Sequence, residues 1–336
     1  MCREMKLDYS HVEGAVLGSA VGDALGVPGE FMSREELMTQ PITDMIGGGA
    51  HNQLPGTWSD DTSMTLCTME SLIQAGINYD DQMQRFASWL WDASNTARGE
   101  VFDVGGTTKQ AIFQYMKGTP ALECGERAEY ACGNGSLMRI MPTALYLIGQ
   151  DGDAVLDDRT AKIIHDTSKC THAHIRCQMA CGIFCSVVFQ MIRGESLREA
   201  VKKGILSALA YYRERSEFAD YVCEFASLDN IELWPEHEVK STGFVLHTLQ
   251  ASLWCLLTTS SYAESVLRAV NLGEDTDTTA AVTGALAGLW YGERQIPEGW
   301  AKKTARYLEI KRKAEAFYCA CRKNPQTGKP VAVYSL

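Results

Sequence analysis

Glycines at positions 14, 18 and 22 are spaced four apart inside an otherwise apolar stretch, with Ala15 and Ser19 beside them. On a helix this spacing lays small side chains in one stripe, over which a second backbone can pass closely. A matching stretch lies far along the chain, where Ala280, Ala281, Gly284, Ala285 and Gly288 form another small-residue face. Two such faces suit two helices packed backbone to backbone. Gly26-Val27-Pro28-Gly29 ends the first of them, and Glu30 and Phe31 follow in a loop.

Between these stretches the apolar spacing is helical almost everywhere. Met64, Leu66, Met69, Leu72 and Ile73 predict a helix over 62–75, and Met83, Phe86, Ala87, Leu90 and Trp91 another over 81–93. A third opens at 103–108, and a fourth ends near Ile148. Further helices are expected over 159–168, 173–193, 196–213, 242–258, 261–270, 276–291 and 299–318. Alternating β-branched runs are nearly absent; Val331-Ala332-Val333-Tyr334 alone hints at a strand. The fold class is therefore all-α: a compact single-domain, multi-helix assembly over 10–320, with a C-terminal tail over 321–336. Residues 41–58, rich in Gly and Pro around Gly47-Gly48-Gly49, predict an exposed, mobile loop.

Two acidic turns, far apart in the chain, stand just before helical stretches. Trp58-Ser59-Asp60-Asp61-Thr62 precedes the helix expected from 62, and Gly273-Glu274-Asp275-Thr276-Asp277-Thr278 precedes the one expected from 276. Asp, Ser and Thr at a helix start are common as caps, because their oxygens accept orphan backbone N–H groups. Taken alone, either turn reads as a cap. One helix needs one cap, however, and each turn carries two carboxylates and spare hydroxyls. Adjacent carboxylates repel unless a cation neutralises them. An oxygen-only donor set without histidine suits Mg²⁺, Mn²⁺ or Ca²⁺ rather than zinc.

The composition narrows the partners. Lys+Arg total 31 against 42 Asp+Glu, a net charge of -11, which argues against wrapping nucleic acid. With 46% hydrophobic and 22% charged residues the chain has the composition of a soluble globular protein. No apolar run near the N-terminus suggests a secretory signal, and none elsewhere is long enough to predict a membrane span. Twelve cysteines fall singly in apolar segments, without a zinc-type pair of pairs, and predict reduced thiols in a cytoplasmic protein.

Four stretches in order carry a resemblance: Gly22-Asp23-Ala24-Leu25-Gly26, Trp58-Ser59-Asp60-Asp61-Thr62, Gly133-Asn134-Gly135-Ser136-Leu137-Met138-Arg139 and Asn271-Leu272-Gly273-Glu274-Asp275-Thr276-Asp277-Thr278. Together they resemble the ADP-ribosylglycohydrolase family over roughly residues 10–295. The resemblance implies an all-helical fold with a binuclear site of two Mg²⁺ (or Mn²⁺) ions at the base of an ADP-ribose cleft. It implies Ser59, Asp60 and Asp61 as ligands from the first turn, and Asp275, Asp277 and Thr278 from the second. Two departures stand out: Ser59 where Thr is commoner, and Glu274 where many relatives carry a second glycine.

The same resemblance places Glu30 near the scissile side of the ribose, and Asp103 near the opened ribose; either could be a solvated loop charge instead. Gly133, Asn134, Gly135 and Ser136 form a permissive turn into a helix, whose N–H groups could bind ribose or diphosphate. Gly105, ahead of Gly106-Thr107, is a similar candidate. His172 resembles a histidine that relatives carry near the site, while His174 reads as structural. Trp58 or Tyr115 could stack on adenine, although aromatics so placed are more often core. The activity expected is metal-dependent removal of ADP-ribose from a modified protein or small conjugate, with arginine-linked ADP-ribose first. Serine-linked or O-acetyl-ADP-ribose, or a silent ADP-ribose-binding homologue, is the alternative.

Overall fold

The computed structural model describes residues 7–322, and among them the regular structure is helical throughout. Its α-helices are α1 (Tyr9–Gly26), α2 (Arg34–Thr39), α3 (Asp60–Ala75), α4 (Tyr79–Asp92), α5 (Gly106–Met116), α6 (Met141–Asp151), α7 (Asp158–Lys169) and α8 (Ile175–Met191). They continue as α9 (Leu197–Arg213), α10 (Ser216–Ala219), α11 (Val222–Phe225), α12 (Val245–Leu257), α13 (Tyr262–Val270), α14 (Thr276–Tyr291), α15 (Glu298–Lys303) and α16 (Tyr307–Cys321). Strand-like pairing among the described residues is confined to isolated bridges. The strand hint at 331–334 lies outside the described residues.

Helices α1 and α14 form the central pair, and the small-residue stripes are the reason. A Cβ on Gly14 would lie 2.2 Å from the carbonyl oxygen of Gly288, one on Gly18 2.4 Å from that of Gly284, and one on Gly22 2.1 Å from that of Ala280. As the first number rises the second falls, so the helices run antiparallel. The end of α1 therefore lies against the start of α14: a Cβ on Gly26 would sit 2.3 Å from the Cα of Asp277. Both helices, and α8 on the far side, are buried around nearly their whole circumference. More amphipathic helices such as α4, α7, α9 and α13 turn polar faces outward.

Three regions depart from the sequence pattern. The helix expected over 299–318 is broken into α15 and α16 by residues 304–306, with Arg306 in the left-handed region at φ 56. There the Ala305 N–H donates to Gly56 O (2.8 Å), and the Ala305 carbonyl accepts the Trp58 indole N–H (2.9 Å). Tertiary hydrogen bonds thus replace the helical ones. Helix α2, not expected, is short and exposed, and is held by a capping box between Ser33 and Glu36. Residues 41–58 are not a free loop. Ile42 is tied at both N–H and carbonyl to the Asn271 side chain, Met45 is buried, and Gly48 and Gln53 close a small hairpin.

Candidate active site

Helix α3 begins at Asp60; its cap, Ser59, accepts from Asp61 N–H through Oγ (3.4 Å), and further donors of this turn are served from outside it. Asp23, on α1, accepts from Ser59 N–H through Oδ1 (2.8 Å), and from Thr62 N–H (3.0 Å) and Thr62 Oγ1 (2.6 Å) through Oδ2. With Asp23 doing the capping, Asp60 and Asp61 are left free. The Asp61 Oδ2 accepts from Ser59 Oγ (3.0 Å), and its Oδ1 is buried without a partner. In the second turn Asp275 caps no N–H of α14 with its side chain. Its Oδ2 accepts from Asn134 Nδ2 (2.9 Å), while its Oδ1 is buried and unpartnered. Asp277 Oδ1 accepts from Thr278 N–H (2.8 Å), and its Oδ2 is likewise unpartnered.

The two turns meet. Thr278 Oγ1 donates to Asp61 Oδ2 at 3.2 Å, across 217 positions of sequence. Carboxylate oxygens of Asp23, Asp61 and Asp277 lie within 4.8 Å of one another, and all three residues are buried. Asp60 and Asp275 stand beside this trio; each feels the negative charge of Asp103.

Burial drives every one of these carboxyls upward. Asp23 is pushed to about 6, held back by its hydrogen bonds from Thr62 and Ser59. Asp60, Asp61 and Asp277 rise well above the ordinary carboxylate range, first by burial and then by a neighbouring negative charge, Asp103 for Asp60, Asp23 for Asp61 and Glu30 for Asp277. Asp275 rises from the same first cause. No Lys or Arg among the described residues makes an ion pair with them. A buried carboxylate oxygen with no donor is costly. Asp61 and Asp277, each with such an oxygen and grouped with Asp23, fit a hard divalent cation. Of the six expected ligands, Asp61 and Asp277 lie in this close group, with Asp23, and Thr278 is hydrogen-bonded to Asp61.

A second group lies beside the first. Glu30, in the turn after α1, is buried, and Asp103 sits in a loop before α5 with its backbone in the left-handed region at φ 54. His51, from the hairpin, places Nε2 2.5 Å from Glu30 Oε2 and 3.7 Å from Asp103 Oδ1. Glu30 is pushed up to about 10, by burial first and then by the charges of Asp103, Asp275 and Asp61. The nitrogen that a cation would need is engaged with Glu30, so this is a hydrogen-bonded group.

The remaining expected residues fall around the acids. The 132–134 strip pairs with 243–245 through Asn134 N–H to Gly243 O (3.0 Å) and Val245 N–H to Cys132 O (2.9 Å). This places the Asn134 amide on Asp275 and Thr248 rather than free in a cleft. The Ser136 hydroxyl accepts from Ser168 (2.8 Å) on the inner side of the turn. His172, buried and with its pKa lowered to about 3 by burial, packs directly under the turn: a Cβ on Gly135 would be 2.7 Å from its ring. Gly133 and Gly135 thus admit the imidazole from behind. Gly105 caps α5 without a side chain, and a Cβ on Gly106 would meet no atom within 4 Å, which leaves that helix start open. His174 caps α8, as a structural residue would.

The aromatic candidates go elsewhere. Trp58 is 1% exposed and bonded to Ala305, hence core. Tyr115 donates to Asp80 O and lines a surface hollow of about 600 Å³ with Trp91 and Met116, a hollow that includes neither acidic turn. Sequence reasoning missed Asp23 and His51. A signal existed for Asp23, because a lone acid between Gly22 and Ala24 in an apolar helix must find partners when buried.

Comparison with known proteins agrees with this geometry. The ADP-ribosylglycohydrolase family profile matches residues 5–327. The ADP-ribosylarginine hydrolase Tri1 of Serratia proteamaculans is 31% identical over 318 residues, 92% of this chain and 79% of that protein. The ADP-ribosyl-[dinitrogen reductase] glycohydrolase of Rhodospirillum rubrum is 30% identical over 310 residues, 90% of this chain and 94% of that one. A solved structure described as an ADP-ribosylglycohydrolase-related protein complex superposes with a TM-score of 0.75 at 29% identity, covering 93% of this chain and 98% of its own. This chain, matched over nearly its full length and with buried acids gathered where α1, α3 and α14 meet, belongs to the ADP-ribosylglycohydrolase family.

Proposed function

We propose that this enzyme hydrolyses the bond between ADP-ribose and an arginine side chain of a modified protein, and that it requires two divalent cations, Mg²⁺ or Mn²⁺. The observation that carries the metal reading is the set of buried oxygens without donors on Asp61, Asp275 and Asp277. Ser59, Asp60, Asp61, Asp275, Asp277 and Thr278 would hold the ions. When bound, the ions would polarise and orient the ribose hydroxyls.

The chain's own groups do the rest. Glu30 and Asp103 have carboxylate oxygens within 4.8 Å of each other, sharing contact with His51. So close a pair does not flank a sugar ring from opposite faces; it works from one side as a single acid–base unit. With the charges of Asp275 and Asp61 offset by bound cations, Glu30 would be free to take the proton of the water that attacks the anomeric carbon, and the departing nitrogen would recover that proton through the Glu30–Asp103 pair. The open start of α5 at Gly105 and the turn at Gly133–Gly135 offer backbone N–H groups to the diphosphate and ribose. Asn134, Ser136 and His172 shape that turn from behind.

Arginine is preferred as acceptor because the relatives above, at 30% and 31% identity, carry that linkage or a dinitrogen reductase substrate in their names. An ARH3 ADP-ribosylhydrolase of Gallus gallus is further away at 23%. The free thiols support a cytoplasmic setting, and no described helix is long and apolar enough to cross a membrane. A panel of arginine-, serine- and acetyl-linked ADP-ribose, each with Mg²⁺ and with EDTA, tests the reading. Release of ADP-ribose fastest from the arginine linkage and abolished by EDTA is expected; faster turnover of another linkage overturns the acceptor, and turnover in EDTA overturns the metal.

A further inference from the structure

One side chain at the reacting end of the cleft has no part in the metal turns. His51 rides at the tip of the hairpin closed by Gly48 N–H to Gln53 O (2.7 Å) and Gln53 N–H to Gly48 O (3.2 Å). The hairpin is pressed onto the turn that carries Glu30: Gly49, at φ 70, lies so near that a Cβ there would be 2.6 Å from the Pro28 carbonyl oxygen. The imidazole is held between two rings, Phe31 at 5.9 Å and Phe102 at 5.1 Å between centroids. Phe31 is in turn fixed by backbone bonds to the second acidic turn, its N–H donating to Glu274 O (2.8 Å) and Met32 O accepting from Glu274 N–H (2.7 Å). So the ring position is set by three separate segments of chain.

The consequence falls on Glu30. Its side chain is 6% exposed, and the charges around it, Asp103, Asp275 and Asp61, are all negative. No Lys, Arg or backbone N–H donates to its carboxylate among the described residues; the His51 ring, with Nε2 2.5 Å from Oε2, is the hydrogen-bond partner it has. Cations bound at the acidic turns would offset the charges of Asp275 and Asp61 and let Glu30 ionise, and a fixed donor would then hold the carboxylate in one direction.

We propose that His51 is the positioning residue of this active site: its Nε2–H donates to Glu30 Oε2 and aims that carboxylate at the attacking water. The proposal rests on the reading of Glu30 as the base. Substitution of a group that orients a catalytic or ligating side chain typically costs about 10–100-fold in rate or affinity. Accordingly His51→Ala is expected to lower kcat on ADP-ribosyl-arginine by about 10–100-fold, with KM changed by less than about threefold. His51→Gln, whose side-chain amide N–H can donate from nearly the same place, should return to within about fivefold of the wild type. A loss confined to KM, a kcat within about twofold in His51→Ala, or a Gln variant as slow as the Ala variant overturns it.

A second readout does not depend on turnover. In protein labelled with ¹⁵N-histidine and loaded with Mg²⁺, the His51 signal, assigned by its absence from His51→Gln, should show a protonated Nε2 that shifts in Glu30→Ala. An unmoved signal overturns the proposal even where His51→Ala fails to fold. A wild type that releases ADP-ribose from none of the three linkages overturns the functional reading above, and the imidazole signal still decides on the contact with Glu30.

Discussion

At the scale of the residue, capping and charge are divided between different acids. Asp23 takes the hydrogen bonds of the first turn of α3, so Asp60 and Asp61 are not consumed by it. Without a cation the remaining carboxylates repel one another at close range inside the protein. Replacing Asp277 by Asn removes one charge and keeps an oxygen to accept the Thr278 N–H. In EDTA, Asp277→Asn should therefore melt above the wild type, by a few °C, since 1 kcal/mol corresponds to about 2–4 °C in larger domains. The same variant should lose the stabilisation by Mg²⁺ and the release of ADP-ribose. A melting temperature that still rises with Mg²⁺ as in the wild type would remove Asp277 from the ligand set.

At the scale of the element, the α1–α14 contact delivers the site. The glycines there are needed for close approach rather than for unusual φ values, so the effect of a side chain is steric and predictable. Gly22→Val pushes against the Ala280 carbonyl, 2.1 Å from even a first carbon. It should cost about 3 kcal/mol or more and weaken Mg²⁺ binding, because Gly26 and Asp277 sit at the end of the same seam. Gly299→Ala in α15 is the control, as a Cβ there meets nothing within 4 Å. It should stabilise by about 0.5–1 kcal/mol and leave Mg²⁺ binding unchanged. Urea unfolding and calorimetric Mg²⁺ titration of the two variants measure both effects; equal behaviour would mean that the stripe is not the determinant.

At the scale of the whole molecule, the acidic centre makes stability depend on protons and cations together. Asp23 goes from an ordinary value of 3.8 to about 6 in the folded protein, burial being the main cause. Between those values the folded state holds a proton that the unfolded state has released. This contribution is present in full below about 4 and is lost as pH rises through about 6. The other raised carboxyls act in the same direction. The metal-free protein should thus gain stability as pH falls from 7 towards 5, whereas with saturating Mg²⁺ the gain from the ion should grow as pH rises, since cations and protons compete for the same oxygens. Melting curves across that range, in EDTA and in Mg²⁺, test both slopes; parallel curves would contradict a shared site.

Much of this was legible in the sequence. The helical class and the span of α14, expected at 276–291 and found at Thr276–Tyr291, follow from local periodicity and small-residue spacing. So does the meeting of two acidic turns, because excess carboxylates and paired small-residue faces leave a signature in short stretches of sequence. The break at 304–306, the docking of residues 41–58, the inward turn of Ser136 and His172, and the placing of His51 on Glu30 have no such signature. Each depends on a hydrogen bond or contact between residues distant in sequence, such as Ala305 with Gly56 or Gly49 with Pro28. The sequence determined which elements form and which carry the charge. Only the tertiary structure decided which acid caps, which is left without a donor and which histidine faces Glu30, because burial and donor geometry exist only once distant segments have packed.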